Sequence, residues 1–471
     1  MLRVSAKVIA ALTGGEILSG DGAVIGNDLF IDSREAAPGC IFVALSGERV
    51  DGHDFLEPAL EAGARVLVVT REREQLAGPI IAAQDKGAVV IQVPDAVVVV
   101  QELARHHRTR LQATVVGITG STGKTTTKDM VRAVLGRSMR VVSTEGNRNN
   151  ELGVPLTILQ AGSDTDALVV EMGMRGIGQI ARLAEIAQPN VGLVTNVGTS
   201  HIELLGTQAR IAEAKGELAR GVTSDGVVLL NGDDAYSDAI AATSSAPVVY
   251  YGLSEQCTVT AIDIELDEQS RASFTLVAPE GRIRVALGVS GRHNVYNALA
   301  AAAVGLRLAV PMDRIADGLS SADMSAMRME VFTSASGITV VNDAYNANPT
   351  SMRAAIDTLS TMSARGRRIA VLGDMAELGS LTELAHFEIG ETVAEQSVDI
   401  LVAVGPRAKR FADGALAAGM EPDAVFTCGD SARGADLLNE LAEPGDVVLV
   451  KASRVMGLET VVERIVSPSA V

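Results

Sequence analysis

Three α/β units in series are the fold that this sequence predicts. Short apolar runs rich in β-branched residues alternate with helical stretches, the pattern of parallel strands covered on both faces. The chain has 471 residues, too many for one core and suited to about three domains. One apolar run passes through a glycine-rich loop, TGSTGKTTT (119–127), directly into a helical stretch. That junction is where parallel sheets bind phosphates.

The first unit, 1–93, contains the run RVLVV (65–69) and ends near Pro94, before the amphipathic stretch DAVVVVQELARHHR. The ELARHHRTR cluster within it reads as a solvated helix face. The second unit, 94–325, carries TVVGIT (114–119), ALVVEMG (167–173), VGLVTNVG (191–198) and GVVLLN (226–231). Residues 255–287 instead alternate apolar and polar around turn signals, which predicts antiparallel strands attached to this unit. The third unit, 326–471, starts at MRMEVF and carries RIAVLGDM (368–375), ILVAVG (400–405) and VVLVKAS (447–453).

Composition sets limits on function. Hydrophobic residues make up 47% and charged residues 21%, an ordinary globular balance. The net charge of −18, with no basic run, argues against nucleic acid or an anionic membrane as partner, while leaving room for a local basic pocket. No apolar stretch reaches the roughly 18 residues of a membrane span, and VVIQVPDAVVVV is cut by Pro94 and Asp95. The N-terminus lacks the long apolar region of a signal peptide. Cys40, Cys257 and Cys428 are too few and too scattered for a disulfide framework or a zinc site, so buried thiols are expected. A cytoplasmic, monomeric protein is the expectation.

The loop carries the first chemistry. Gly120 and Gly123 let backbone N–H groups approach a phosphate, and Ser121 and Thr122 lie between them. The next helix turns its positive end toward that phosphate, Lys124 adds a point charge, and Thr125 or Thr126 offers a hydroxyl to Mg²⁺. The common pattern has glycine where Ile118 stands; the spacing here is Gly117-x-x-Gly120-x-x-Gly123-Lys124-Thr125. The chain contains no Asn-Lys pair and therefore no NKxD base-reading motif, so a use of ATP other than a GTPase cycle is favoured.

Two further strand ends point to the same sheet edge. ALVVEMG brings Glu171 there, and VGLVTNVG running into TSHIELLG brings His201. Singly, the first reads as a helix cap and the second as a loop histidine; together beside Lys124 they suit a divalent cation. IAEAKGELAR (211–220) then sets Lys215 on the apolar stripe of a helix with Ile211, Leu218 and Val222, while Glu213, Glu217 and Arg220 face away. Desolvation and a neighbouring cation would leave its amine neutral and able to add CO₂ as a carbamate. A snorkelling lysine is the other reading, and physics alone leaves the two open.

These pieces together resemble the Mur ligase family of ATP-dependent amide-forming enzymes. The resemblance rests on TGSTGKTTT, GNRNNELGVPLT (146–157), the Glu171, His201 and Lys215 series, GRHNVYNALAAAA (291–303) and VLVKASRVMGLE (448–459). NDAYNANPTSM (342–352), VLGDMAELG (371–379) and DSREAAPGCIFVALSGERVDGHDF (32–55) narrow it to one branch. It implies a UDP-sugar-binding α/β domain, a central P-loop ATPase-like domain and a C-terminal Rossmann-like domain.

The resemblance also implies roles. Lys124, Thr125 and Thr126 would handle the phosphates of ATP and Mg²⁺, with Glu171 and His201 on two metal ions and Lys215 carried as a carbamate. Asn294 and Asn297 would meet the adenine end, and Arg328 and Asp343 would close onto the nucleotide. Ser33 and Arg34 would lie in the UDP-sugar pocket. Asn147, Asn149 and Asn150 of GNRNNELG would line the path of the substrate. Asn346, Ala347, Asn348 and Pro349 would help hold an incoming dipeptide. The implied substrates are UDP-N-acetylmuramoyl-tripeptide, D-alanyl-D-alanine and ATP. Three positions depart from the usual pattern: Asn342 for aspartate, Arg148 for an apolar or aromatic residue near the phosphate path, and Ser200 for alanine. A related ligase of the same fold should lack NDAYNANPTSM and VLGDMAELG. A regulatory protein that had lost ligation should show a gap among the metal residues. Neither holds here.

Overall fold

The computed structural model describes residues 2–466, so residues 1 and 467–471, the tips of the first and third expected units, lie outside the described residues. Three six-stranded sheets follow one another along the chain, and a three-stranded sheet joins the second. All eight apolar runs singled out from the sequence form strands. The α/β expectation holds.

The first sheet is mixed. Strands Ile25–Phe30, Cys40–Val43, Val66–Val69 and Val89–Gln92 run parallel, and the edge strands Arg3–Ser5 and Glu16–Ser19 run antiparallel to them. CIFV and VLVV are buried at every position, as strands covered on both faces must be.

The central sheet is wholly parallel, with Thr114–Thr119 between Val191–Val194 and Ala167–Glu171. Its strands therefore deliver Thr119, Glu171 and Val194 to one edge, where the loops bind. Two features let the phosphate-loop helix, Lys124–Leu135, lie deep in the core. The alanines of helix Asn294–Arg307 are buried. Gly305 and Gly318 pack so tightly that a Cβ would come 2.8 Å from Val134 Cγ1 and 2.6 Å from Val134 Cα. Strands Thr260–Leu266, Arg271–Ala278 and Gly281–Ser290 form the antiparallel sheet that alternation predicts.

The third sheet has Glu330–Thr333 antiparallel at its edge and five parallel strands, with Val447–Lys451 between Thr339–Asp343 and Arg368–Gly373. Asp129, in the phosphate-loop helix, accepts a hydrogen bond from Ser325 N (2.9 Å), tying that helix to the segment leading into this sheet. No helix among the described residues is long and apolar enough to cross a membrane. The three cysteines are free and buried, as expected.

Two sequence expectations fail, the first in part. The ELARHHRTR cluster is solvated only in part: Arg105, Thr109 and Arg110 are exposed, but His107 and Arg108 are buried, and the Arg108 guanidinium donates to Ala187 O (2.8 Å), Leu111 O (3.1 Å) and Gln188 O (3.2 Å). Glu217 is also buried. It accepts from Gly178 N (2.6 Å) and Ala181 N (2.9 Å), capping helix Gln179–Ala187. Helical periodicity finds the stripe that meets the sheet, but not a second face that meets a neighbouring helix.

Candidate active site

A cleft of about 1110 Å³ opens where the edge of the central sheet meets the third sheet. The phosphate loop forms its floor. Gly120 (φ 151°) and Gly123 (φ 77°) hold backbone conformations that other residues resist. A Cβ on Gly123 would stand 2.5 Å from Asn297 Oδ1, and one on Gly120 would sit 1.8 Å from Thr195 Oγ1. Thr195 has no room to yield, because that hydroxyl donates to Thr122 O (2.6 Å). Gly120→Ala should therefore cost ADP affinity about 5–150-fold, given about 1–3 kcal/mol of backbone strain. Calorimetric titration with ADP measures it, and wild-type affinity would show that the loop adapts.

Lys124 Nζ folds back onto Gly120 O (2.7 Å), and burial pushes its pKa down, while Glu171 acts in the opposite sense. Thr122 N donates to Asn196 Oδ1 (3.0 Å), which pins the loop to the neighbouring strand end.

Glu171 terminates its strand as expected and is 1% exposed. Its Oε1 accepts from Asn149 Nδ2 (2.7 Å), whereas Oε2 is buried with no hydrogen-bond partner. A buried carboxylate oxygen without a donor fits a hard divalent cation. His201 Nδ1 lies 2.6 Å from Glu377 Oε2 of the third domain, at an angle that makes an ion-pair contact rather than a directed hydrogen bond. Among the described residues no three His, Cys, Asp or Glu side chains cluster. A cation here would thus take a carboxylate and an imidazole from the protein.

Lys215 is 1% exposed, on the same buried face of helix Gln208–Gly221 as Ile211 and Leu218. Burial first, then the charge of Lys124, drives its pKa well below the ordinary lysine range, with Asp234 opposing. It does not line the cleft, although it is near enough to Lys124 to feel that charge.

From the third domain come Arg328, stacked over the Tyr345 ring (4.1 Å to its centroid), and Asp343. Lys451 pairs with Asp343 Oδ2 and donates to Asn346 O (3.0 Å); both charged side chains are buried. Asn348 caps helix Pro349–Thr361 through Ser351 N (2.9 Å), so Pro349 takes the first helical position rather than facing the cleft. Its Nδ2 reaches Ser200 Oγ (3.0 Å), which in turn donates to Ser121 O (3.3 Å), a bridge from the third domain to the phosphate loop.

The cleft thus gathers Ser121, Thr122, Gly123, Lys124, Thr125, Thr126, Asn147, Asn149, Asn150, Glu171, His201, Asn294, Asn297, Arg328, Asp343, Asn346, Ala347 and Asn348. The amides of Asn294 and Asn297 point partly inward: Asn294 Nδ2 donates to Ser290 O (2.7 Å), and Asn297 Oδ1 accepts from Thr127 Oγ1 (3.1 Å). Ser33 and Arg34 are elsewhere. Arg34 is exposed and paired with Asp32, whose carboxyl it holds down at about 2. Asp32 borders a second cavity of about 530 Å³, and Arg148 lines that cavity instead of the phosphate cleft. Asn150 lines both.

Sequence reasoning gave no role to Glu377, Tyr345, Ser200 or Lys451. Lys451 had a signal of the same kind as Glu171, a charged residue closing an apolar strand (VVLVK). Glu377 and Tyr345 sit in loops, where no periodicity marks them.

A phosphate loop, a cation-seeking carboxylate and a third domain bringing Arg328 and Lys451 to the same cleft define an ATP-dependent ligase. The chain belongs to the Mur ligase family: residues 28–119 match its catalytic domain, 118–305 the Mur ligase middle domain, and 327–454 the Mur ligase glutamate ligase domain. Its relatives are specific within that family. The UDP-N-acetylmuramoyl-tripeptide–D-alanyl-D-alanine ligase of Bacillus subtilis is 37% identical, with 92% of each chain covered. That of Mycobacterium bovis is 40% identical, over 99% of this chain and 98% of its own. The crystal structure of MurF from Acinetobacter baumannii superposes with a TM-score of 0.87 at 31% identity, over 99% of both chains.

Proposed function

We propose that this chain joins D-alanyl-D-alanine to UDP-N-acetylmuramoyl-tripeptide with cleavage of ATP to ADP and phosphate, completing the pentapeptide precursor of peptidoglycan. The observation that carries the reading is the cleft itself, where Lys124 and Glu171 meet Arg328 and Lys451 of another domain.

The tripeptide carboxylate attacks the γ-phosphorus of ATP, its P–O bond to ADP breaks, and an acyl phosphate forms. The amine of D-alanyl-D-alanine then adds to the acyl carbon, loses a proton, and the tetrahedral adduct expels phosphate as the amide C–N bond remains. Both the attacking carboxylate and the γ-phosphate are anionic, so charge neutralisation and alignment dominate the barrier. Lys124 and the N–H group of Gly123 at the start of its helix meet the phosphates, while Ser121 and Thr122 shape the loop, their own N–H groups being held by Asn196, and Arg328 approaches from the far side. Mg²⁺, held by Thr125, Glu171 and His201, supplies charge neutralisation when bound. Lys215 as a carbamate gives that metal site another anion. Asn147, Asn149 and Asn150 guide the tripeptide end, which reaches the cleft past the second cavity from the Ser33–Arg34 side. Asn346, Ala347 and Asn348 form the dipeptide side, and Pro349 starts the helix that Asn348 caps. Docking of the third domain keeps water from the acyl phosphate. Asn294 and Asn297 take the adenine end. We take the units as 1–93, 94–325 and 326–471 and the enzyme as a cytoplasmic monomer.

Phosphate release from ATP tests the reading. It should require UDP-N-acetylmuramoyl-tripeptide and D-alanyl-D-alanine together. Release that proceeds with a single amino acid in place of the dipeptide, or with neither substrate, would overturn it.

A further inference from the structure

Strand Arg368–Gly373 leads into Asp374–Gly379, the second half of the block VLGDMAELG. Nearly every polar group of this loop is fixed. The Asp374 carboxylate accepts from Arg407 N (3.2 Å) and Nη1 (3.1 Å). Met375 N donates to the buried His386 Nε2 (3.0 Å), and Ala376 N donates to Ser453 Oγ (2.9 Å). Leu378 anchors the far side at 2% exposure. What the loop presents is Glu377.

Glu377 has a φ of 61°, and His201, its contact across the domain boundary, has a φ of 64°. Side chains other than glycine resist this left-handed region, and such conformations persist where surrounding structure enforces them. Here the two strained residues face each other. His201 Nδ1 and Glu377 Oε2 are 2.6 Å apart, and Glu203 N donates to Glu377 O (3.4 Å). Gly379 lies so close that a Cβ on it would be 3.1 Å from Glu203 Cβ. The third domain thus grips the central domain at the segment bearing the histidine.

We propose that Glu377 is a positioning residue for the metal site: its carboxylate, 2.6 Å from Nδ1 of His201, aligns with that N–H when the metal binds and leaves Nε2 as the coordinating nitrogen. A carboxylate on one ring nitrogen fixes the tautomer and raises the basicity of the other. The cation site is then complete only when the third domain is docked, so the metal is fully held only in the arrangement that also excludes water. This rests on the reading of His201 as a metal ligand.

Mn²⁺ binding to the full chain in the presence of ADP, followed by electron paramagnetic resonance, tests it without any ligation assay. Glu377→Gln should weaken Mn²⁺ about 10–100-fold and broaden its spectrum as His201→Ala does, with the thermal unfolding profile unchanged. Glu377→Asp, which keeps the charge, should recover part of the affinity. Glu377→Gln binding Mn²⁺ as tightly as wild type would overturn the assignment while leaving His201 as a ligand. His201→Ala binding Mn²⁺ like wild type would instead remove the metal reading of His201 and this proposal with it.

Discussion

Replacing Lys215 by alanine is expected to lower kcat on the order of 10²–10³-fold, the scale for losing one preorganised electrostatic group, and to leave the fold standing. The side chain is 1% exposed, and burial and Lys124 both press its amine toward the neutral form. A buried neutral amine that only filled space would be replaceable by methionine at little cost. The carbamate reading says otherwise. Both Lys215→Ala and Lys215→Met should be inactive, short carboxylic acids should restore part of the activity of the alanine variant, and the methionine variant should not respond because its site is filled. Wild-type enzyme depleted of CO₂ should lose activity and regain it with bicarbonate. Near-normal turnover by Lys215→Met would reduce Lys215 to a space-filling residue. Because Lys215 does not line the cleft, the substitution should leave ADP affinity within a few-fold of wild type, which separates this outcome from loss of the phosphate loop.

The strands were legible because a parallel strand buried on both faces has a single requirement, apolar β-branched side chains, and VLVV or ILVAV can meet few others. Glu171 was legible for a related reason, since a polar residue ending such a run must stand at the sheet edge, and His201 was legible from the loop that follows the next such strand. Short strands such as Val141–Ser143, intermediate in burial throughout, carry no comparable signal. Arg108 and Glu217 misled because a charged residue on the face away from the main stripe is normally solvated, and only tertiary contacts supply carbonyls or a helix end to satisfy it. The domain interface was the least legible part. The contact between His201 and Glu377 joins residues far apart in sequence that share no element and no period. The bridge through Ser200 looked only like a departure from a usual alanine until Asn348 and Ser121 O were seen on either side of it.

Lys451→Met is expected to destabilise the third domain by about 3–5 kcal/mol, the usual cost of leaving one member of a buried ion pair alone. Lys451 is 2% exposed and Asp343 8%, and they sit at matching positions on adjacent parallel strands. Burial lowers the lysine pKa, and Asp343 works against that. Without the ammonium, Asp343 keeps one hydrogen bond, from Met329 N (3.3 Å), too weak to hold an anion in so dry a place. The same bond ties Asp343 to the residue after Arg328, whose neighbours Met327 and Met329 have φ values of 58° and 53°. Loss of the pair should therefore also release Arg328 from the cleft and raise the KM for ATP. Asp343→Asn combined with Lys451→Met removes both charges and should recover much of the stability without recovering the KM. Thermal unfolding of the three variants, scored on the transition of the third domain, together with ATP saturation curves, separates the two effects. A double variant that regained both would make the pair a stability element alone. A single variant as stable as wild type would mean that water reaches Asp343 and that the pair is not enclosed.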